Sequence, residues 1–139
     1  LSGEYSLIFK KEGLELISEI PEEDIFVDID IQMIVRALEN LLINAKKYSV
    51  RNSQVLVKLL QESNDIVISV ENKVENISQD DLDNLFERFY KVDKARKTGD
   101  STGLGLSIVK RVVELHKGLV KAELINGVIK FKIILLVQN

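Results

Sequence analysis

Residues 30–49 constrain this chain more than any other stretch. Placed on a helix at about 100° per residue, Ile31, Ile34, Val35, Leu38, Leu41, Leu42 and Ala45 share one broad apolar face that has to be buried. Asn40, Asn44 and Lys47, at i, i+4 and i+7, fall on nearly the opposite side. A solvated ridge is ordinarily furnished with Glu, Lys and Arg, because the Asn amide competes for backbone hydrogen bonds and weakens a helix. Two Asn residues one turn apart therefore suggest a ridge with a polar task. Two tolerated surface residues are the alternative, and this helix alone leaves it open.

Around that helix the chain reads in order. Residues 4–9 and 14–20 alternate apolar and polar positions about the Lys-Lys-Glu-Gly turn at 10–13, which predicts a hairpin or two neighbouring strands. Pro21 closes the second run, residues 25–27 form a short third strand, and Asp30 is the expected N-cap of the central helix. Residues 55–60 and 66–70 are two β-rich runs joined by Glu62-Ser63-Asn64-Asp65. Ser78 with Asp81 three residues on starts a short helix with Leu82, Leu85, Phe86 and Phe89 on its apolar stripe. Residues 90–102 are charged, small and without an apolar face, and are expected to be mobile in the absence of a ligand. They lead into Gly103-Leu104-Gly105-Leu106 and an amphipathic helix through Ile108, Val109, Val112 and Val113, running to His116 and stopped by Gly118. A glycine-flanked helix N-terminus behind a basic loop favours phosphate, through unpaired N–H groups and the helix dipole. Residues 119–125 and 128–137 close the chain as a hairpin turned by Asn126-Gly127. The layout predicts an α+β two-layer sandwich, a mixed β-sheet with about three helices packed on one face.

Composition narrows the class. The 139 residues suit one domain, 45% of them hydrophobic and 29% charged, so the chain reads as globular. A net charge of -3 gives no pull towards nucleic acid or anionic membrane, and neither is expected as a partner. Without cysteine there is no disulfide or thiol chemistry. No apolar run approaches the roughly 18 residues that cross a bilayer. The chain starts at Leu1 rather than Met, which suggests a piece of a larger protein.

Three segments then stand in register: Asn40-x-x-x-Asn44-Ala45-x-Lys47-Tyr48, Leu85-Phe86-Glu87-Arg88-Phe89-Tyr90, and Thr102-Gly103-Leu104-Gly105-Leu106-Ser107-Ile108-Val109. In order and spacing they resemble the N, F and G2 boxes of the sensor histidine kinases, and the resemblance spans residues 1–139 as the catalytic and ATP-binding domain of such a kinase. It implies ATP and Mg²⁺ as cofactors. Asn44 would bind the metal through its amide oxygen, Asn40 would support the same cluster, and Lys47 would reach the phosphates as a point charge. Tyr48 would lie against the nucleotide, or pack on the core as a helix-end aromatic. Gly103, Leu104 and Gly105 would bring backbone amides to the phosphates, with Leu106 packing the helix behind them. Lys91, Lys94, Arg96 and Lys97 would belong to an ATP lid at about 90–102, and Ile77 and Phe89 would line the nucleotide.

The related gyrase and heat-shock chaperone ATPases and the anti-sigma serine kinases place a Glu where Asn40 stands here. An amide cannot accept a proton usefully at neutral pH, so this site suits an acceptor that is already nucleophilic, such as neutral imidazole. Glu39 points about 100° away and reads as structural or solvated. The G1 box of the family, Asp-x-Gly-x-Gly before Ile, falls on Asn72 to Asn76 before Ile77, with the adenine-reading Asp replaced by Asn72 and both glycines absent. Asn72 keeps a carbonyl oxygen for the adenine amino group, and Asn76 is the non-glycine residue most tolerant of positive φ, which Val74 is not. His116, the single histidine, reads as a helix C-terminal residue and not as the phosphoacceptor. The resemblance therefore implies an acceptor His on upstream dimerisation helices, a response regulator as second partner, and a cytoplasmic placement below a bacterial membrane sensor. A non-catalytic docking module with a degenerate pocket is the alternative, and a stand-alone ATPase or serine kinase a third that Asn40 disfavours.

Overall fold

The computed structural model describes residues 2–21, 30–87 and 105–136. The expected strand at 25–27 and the expected lid lie outside them, as do Phe89, Lys91, Lys94, Arg96, Lys97, Gly103 and Leu104. The elements are α1 (Ser2–Lys11), β1 (Glu15–Glu19), α2 (Ile31–Tyr48), β2 (Gln54–Glu62), β3 (Asp65–Lys73), α3 (Gln79–Asn84), α4 (Gly105–Leu115), β4 (Leu119–Ile125) and β5 (Val128–Leu136). One sheet runs in the order β1-β2-β3-β5-β4. β1 pairs parallel with β2 across the α2 crossover, and every other pairing is antiparallel, so the sheet is mixed as expected.

The first element corrects the sequence reading. Residues 2–11 form a helix and not the first strand of a hairpin. Tyr5 and Phe9, one turn apart, enter the core together and meet edge to face at 6.2 Å. The Lys-Lys-Glu-Gly segment is a helix C-cap. Leu14 N–H donates to Phe9 O and Gly13 N–H to Lys10 O, with Gly13 at φ 71, the two bonds of a Schellman motif. With α1 the described residues hold four helices where about three were expected.

Alternation along the strands separates the two faces. Val55, Val70, Phe131 and Ile133 point towards α2 and α4 and belong to one core cluster with Leu41, Ala45, Val109 and Val113, with Val57 packed against it. The other face carries cross-strand ion pairs, Lys130 with Glu71 at 3.2 Å and Lys132 with Glu123 at 3.1 Å, beside apolar residues such as Leu60, Val67 and Ile134. The helices pack on the first face, which makes two layers. Among the described residues no helix is long and apolar enough to cross a membrane.

Helix α4 ends in a second Schellman motif, Gly118 N–H to Val113 O and Lys117 N–H to Glu114 O. Here the left-handed residue is Lys117 at φ 58, so Gly118 does not serve as the positive-φ stop. Its role is close approach: a Cβ at 118 would stand 2.4 Å from Ile134 O and 3.1 Å from Val113 Cγ1. The carbonyl belongs to a strand and cannot yield, so Gly118→Ala should cost at least about 2 kcal/mol, read as a lowered thermal midpoint.

Candidate functional site

Helix α2 is started by Asp30, whose carboxylate accepts from Met33 N–H at 3.3 Å, the N-cap that the sequence suggested. Its buried face is Ile34, Ala37, Leu41, Leu42 and Ala45. Ile31, expected on that face, is 68% exposed, and Ala37 takes its share. Asn40, Asn44 and Lys47 are half-buried. They border the apolar face rather than oppose it.

The N-terminus of α4 meets that ridge. A Cβ added to Gly105 would lie 3.9 Å from Asn40 Oδ1, so the first residue of α4 opens directly on the amide. Two of the three segments singled out in the sequence are thereby adjacent in space. Leu106 is partly buried against the core, as expected. Tyr48 packs on the same core, the second of its two readings, and Lys47 Nζ lies 5.6 Å from the centre of its ring.

The far end of α2 is tied to the altered G1 segment. Ser49 bridges Val74, and Val50 N–H donates to Lys73 O. Asn72, on the helix side of β3, sits in register between Val55 and Ile129 and is 2% exposed. Neither its amide nitrogen nor its oxygen has a hydrogen-bond partner. Leaving such a group unsatisfied costs about 1–3 kcal/mol. Asn76 adopts φ 62, the conformation for which it was singled out, whereas Val74 stays extended in its bridge and is buried. Ile77 is partly buried beside it. Asn76 thus takes a conformation that glycine adopts freely, and Val74 is not held at positive φ.

Glu39 has a structural partner. Tyr5 O–H on α1 donates to Glu39 Oε2 at 3.0 Å. Burial first, then the Glu39 hydrogen bond and charge, push the Tyr5 phenol from 10.0 up to about 12. The native state therefore holds a proton that the unfolded chain releases above pH 10, and stability should fall as pH rises from about 10 to about 12, by about 2–3 kcal/mol. Urea unfolding across that window checks the slope, and Tyr5→Phe should remove most of it. His116 also has a structural place: its Nδ1 lies 2.9 Å from Val112 O and its Nε2 accepts from Asp30 N–H at 3.0 Å.

The residues present fit a magnesium nucleotide in their donor chemistry. Amide oxygens are hard ligands suited to Mg²⁺, which keeps most of its coordination in water and phosphate. Among the described residues no group of three or more His, Cys, Asp or Glu forms an alternative metal cage. The unsatisfied Asn72 amide offers both an acceptor and a donor for a planar heterocycle.

Comparison with known proteins gives the family of the chain. The family model described as histidine kinase-, DNA gyrase B- and HSP90-like ATPase matches residues 29–136, and the chain belongs to that family. The sensor histidine kinase WalK of Bacillus subtilis is 38% identical over 122 residues, 85% of this chain, which spans 20% of the length of that relative. Among solved structures, the mycobacterial sensor histidine kinase MprB superposes with a TM-score of 0.82 at 24% identity, over 98% of this chain and 93% of that one. Full-length ShkA in complex with AMPPNP gives a TM-score of 0.82 at 20% identity, over 99% of this chain and 29% of that one. These likenesses carry the fold.

Proposed function

We propose that this chain is the ATP-binding catalytic domain of a sensor histidine kinase, holding Mg-ATP and presenting its γ-phosphoryl to a histidine on a separate helical domain of the parent. An imidazole nitrogen there forms the P–N bond as the P–O bond to ADP breaks, and an aspartate of a response regulator is the next acceptor. The observation that carries the reading is the buried, unpartnered Asn72 amide on the same side of the sheet as the Asn40-Asn44 ridge. Asn72 would read the adenine edge, Ile77 would pack on the base, and Asn40, Asn44 and Lys47 would hold the triphosphate end. Mg²⁺, when bound, would neutralise charge that builds on the phosphates during transfer. Asn44 Oδ1 is the protein ligand proposed for it.

Among the described residues, those placed at the site offer no general base to the acceptor. Asn40 stands where a base would be, and the neighbouring Glu39 carboxylate is already engaged by Tyr5. Both His116 nitrogens are engaged as well, which supports a phosphoacceptor elsewhere in the parent. A parent of bacterial sensor type, anchored in a membrane with this domain on the cytoplasmic side, fits the likeness to WalK. The docking-module alternative rests on the altered G1 segment alone. Calorimetric titration with Mg-ATP decides: saturable binding at a single site is expected, and no heat with no thermal shift at millimolar nucleotide would overturn the proposal.

A further inference from the structure

Helix α3 is capped reciprocally, Ser78 Oγ accepting from Asp81 N–H and Asp81 accepting from Ser78 N–H. Helix α2 obtains only half of that arrangement from its own residues. Asp30 accepts from Met33 N–H, but the residue that would reach back to the Asp30 N–H is Met33 itself, which has no suitable acceptor. The Asp30 N–H is taken instead by His116 Nε2, 3.0 Å away at the end of α4. Nδ1 lies 2.9 Å from Val112 O. A backbone N–H only donates and a carbonyl only accepts, so Nε2 carries the lone pair and Nδ1 the proton. His116 completes in trans a capping box that α2 lacks.

The consequence reaches the other end of the helix pair. α2 and α4 run antiparallel, joined by Asp30 with His116 at one end and by Asn40 against Gly105 at the other. About 15 Å of helical rise separates the two contacts on either helix. The C-terminal end of α2 is held independently, by the Ser49–Val74 bridge to the sheet. The His116 bond thus acts at the N-terminal end, where it ties α2 to α4 directly.

We infer that His116 is a positioning residue for the site: by holding Asp30 it sets the register of α2 against α4, and so the placement of Asn40 and Asn44 before the N-terminus of α4. The inference deepens the proposed function and rests on it for the nucleotide part. Three measurements test it on this chain: the ¹⁵N shifts of the His116 ring, the backbone and side-chain amide resonances of Asn40, Asn44 and Gly105, and affinity for Mg²⁺ with a non-hydrolysable ATP analogue. The ring should show a protonated Nδ1 and an unprotonated Nε2. His116→Ala should shift the Asn40, Asn44 and Gly105 resonances and weaken nucleotide binding roughly three- to tenfold, the worth of about one net hydrogen bond. His116→Gln, whose Oε1 can accept from Asp30 N–H, should restore both.

A ring protonated at Nε2 would overturn the inference. So would a lowered thermal midpoint in His116→Ala with the three sets of resonances unmoved, since His116 would then only brace the fold. If the alanine variant does not fold, the wild-type ring shifts and the glutamine variant still decide. A wild-type chain that binds no nucleotide would sink the kinase proposal and leave the resonances to judge the register.

Discussion

Replacing Asn72 by leucine should raise the stability of the ligand-free domain by about 1 kcal/mol, roughly 3–5 °C in thermal midpoint, while weakening ATP binding at least tenfold. The two effects have one cause. Leucine has the branching of asparagine with methyl groups in place of the amide atoms, and it would stand between Val55 and Ile129, both almost fully buried. An unsatisfied buried amide is replaced by apolar surface among apolar neighbours, which removes a desolvation cost. The same change deletes the acceptor and donor proposed to meet adenine. Opposite movement of stability and affinity is the signature of a group kept for its ligand. Asn72→Asp should move both the other way: an ionised carboxylate without a partner costs more in the empty pocket, and its charge-assisted hydrogen bond is stronger in the filled one. Thermal melts and nucleotide titrations of the three proteins check this. A leucine variant that melts lower and binds ATP as well as wild type would remove Asn72 from the site.

The elements built on long-period signals were legible before the structure was seen. The apolar stripes of α2 and α4 are enough to specify both helices, and Asn126-Gly127 specifies the last hairpin, with both residues at positive φ. Helix α1 was not legible as read, because only Tyr5 and Phe9 of its ten residues enter the core while Leu7 and Ile8 stay exposed. Tyr5 and Phe9 fit a strand alternation as readily as one helical turn. The signal that separates the two was present in Lys10, Lys11 and Gly13, basic residues in a last turn followed by a glycine C-cap. Pairing was less legible still, since the parallel partnership of β1 with β2 depends on the α2 crossover and not on anything local to residues 15–19.

For the site, the identity of the residues was readable and their surroundings were not. Asn40 and Gly105 are distant in sequence, and only packing of α4 against α2 brings them together. The angle of the Asn ridge depends on which residues the core claims. Because Ala37 and not Ile31 is buried, the ridge stands beside the core face. Burial of Asn72 involves residues on three strands, and the trans cap from His116 joins the end of α4 to the start of α2, so no spacing rule within one segment could have shown them.

Asn44→Ala carries the other large effect. The side chain is half-buried on a helix surface, and alanine is the better helix former, so the fold should change by no more than about 0.5 kcal/mol and in the favourable direction. Function should collapse all the same. If Asn44 Oδ1 is the protein's ligand to Mg²⁺, its loss removes several kcal/mol of charge neutralisation at the transferring phosphoryl, at least about a hundredfold in transfer to the parent's acceptor histidine. The diagnostic comparison is metal dependence in binding. Wild-type affinity for ATP should drop when Mg²⁺ is chelated, whereas the variant should bind ATP weakly with or without the metal. Asn44→Asp sharpens the reading, because a carboxylate still ligates Mg²⁺ but repels the phosphates once the metal is withdrawn, so its metal dependence should exceed that of wild type. Equal metal dependence in wild type and alanine variant would assign the cation to another residue, whatever the effect on transfer.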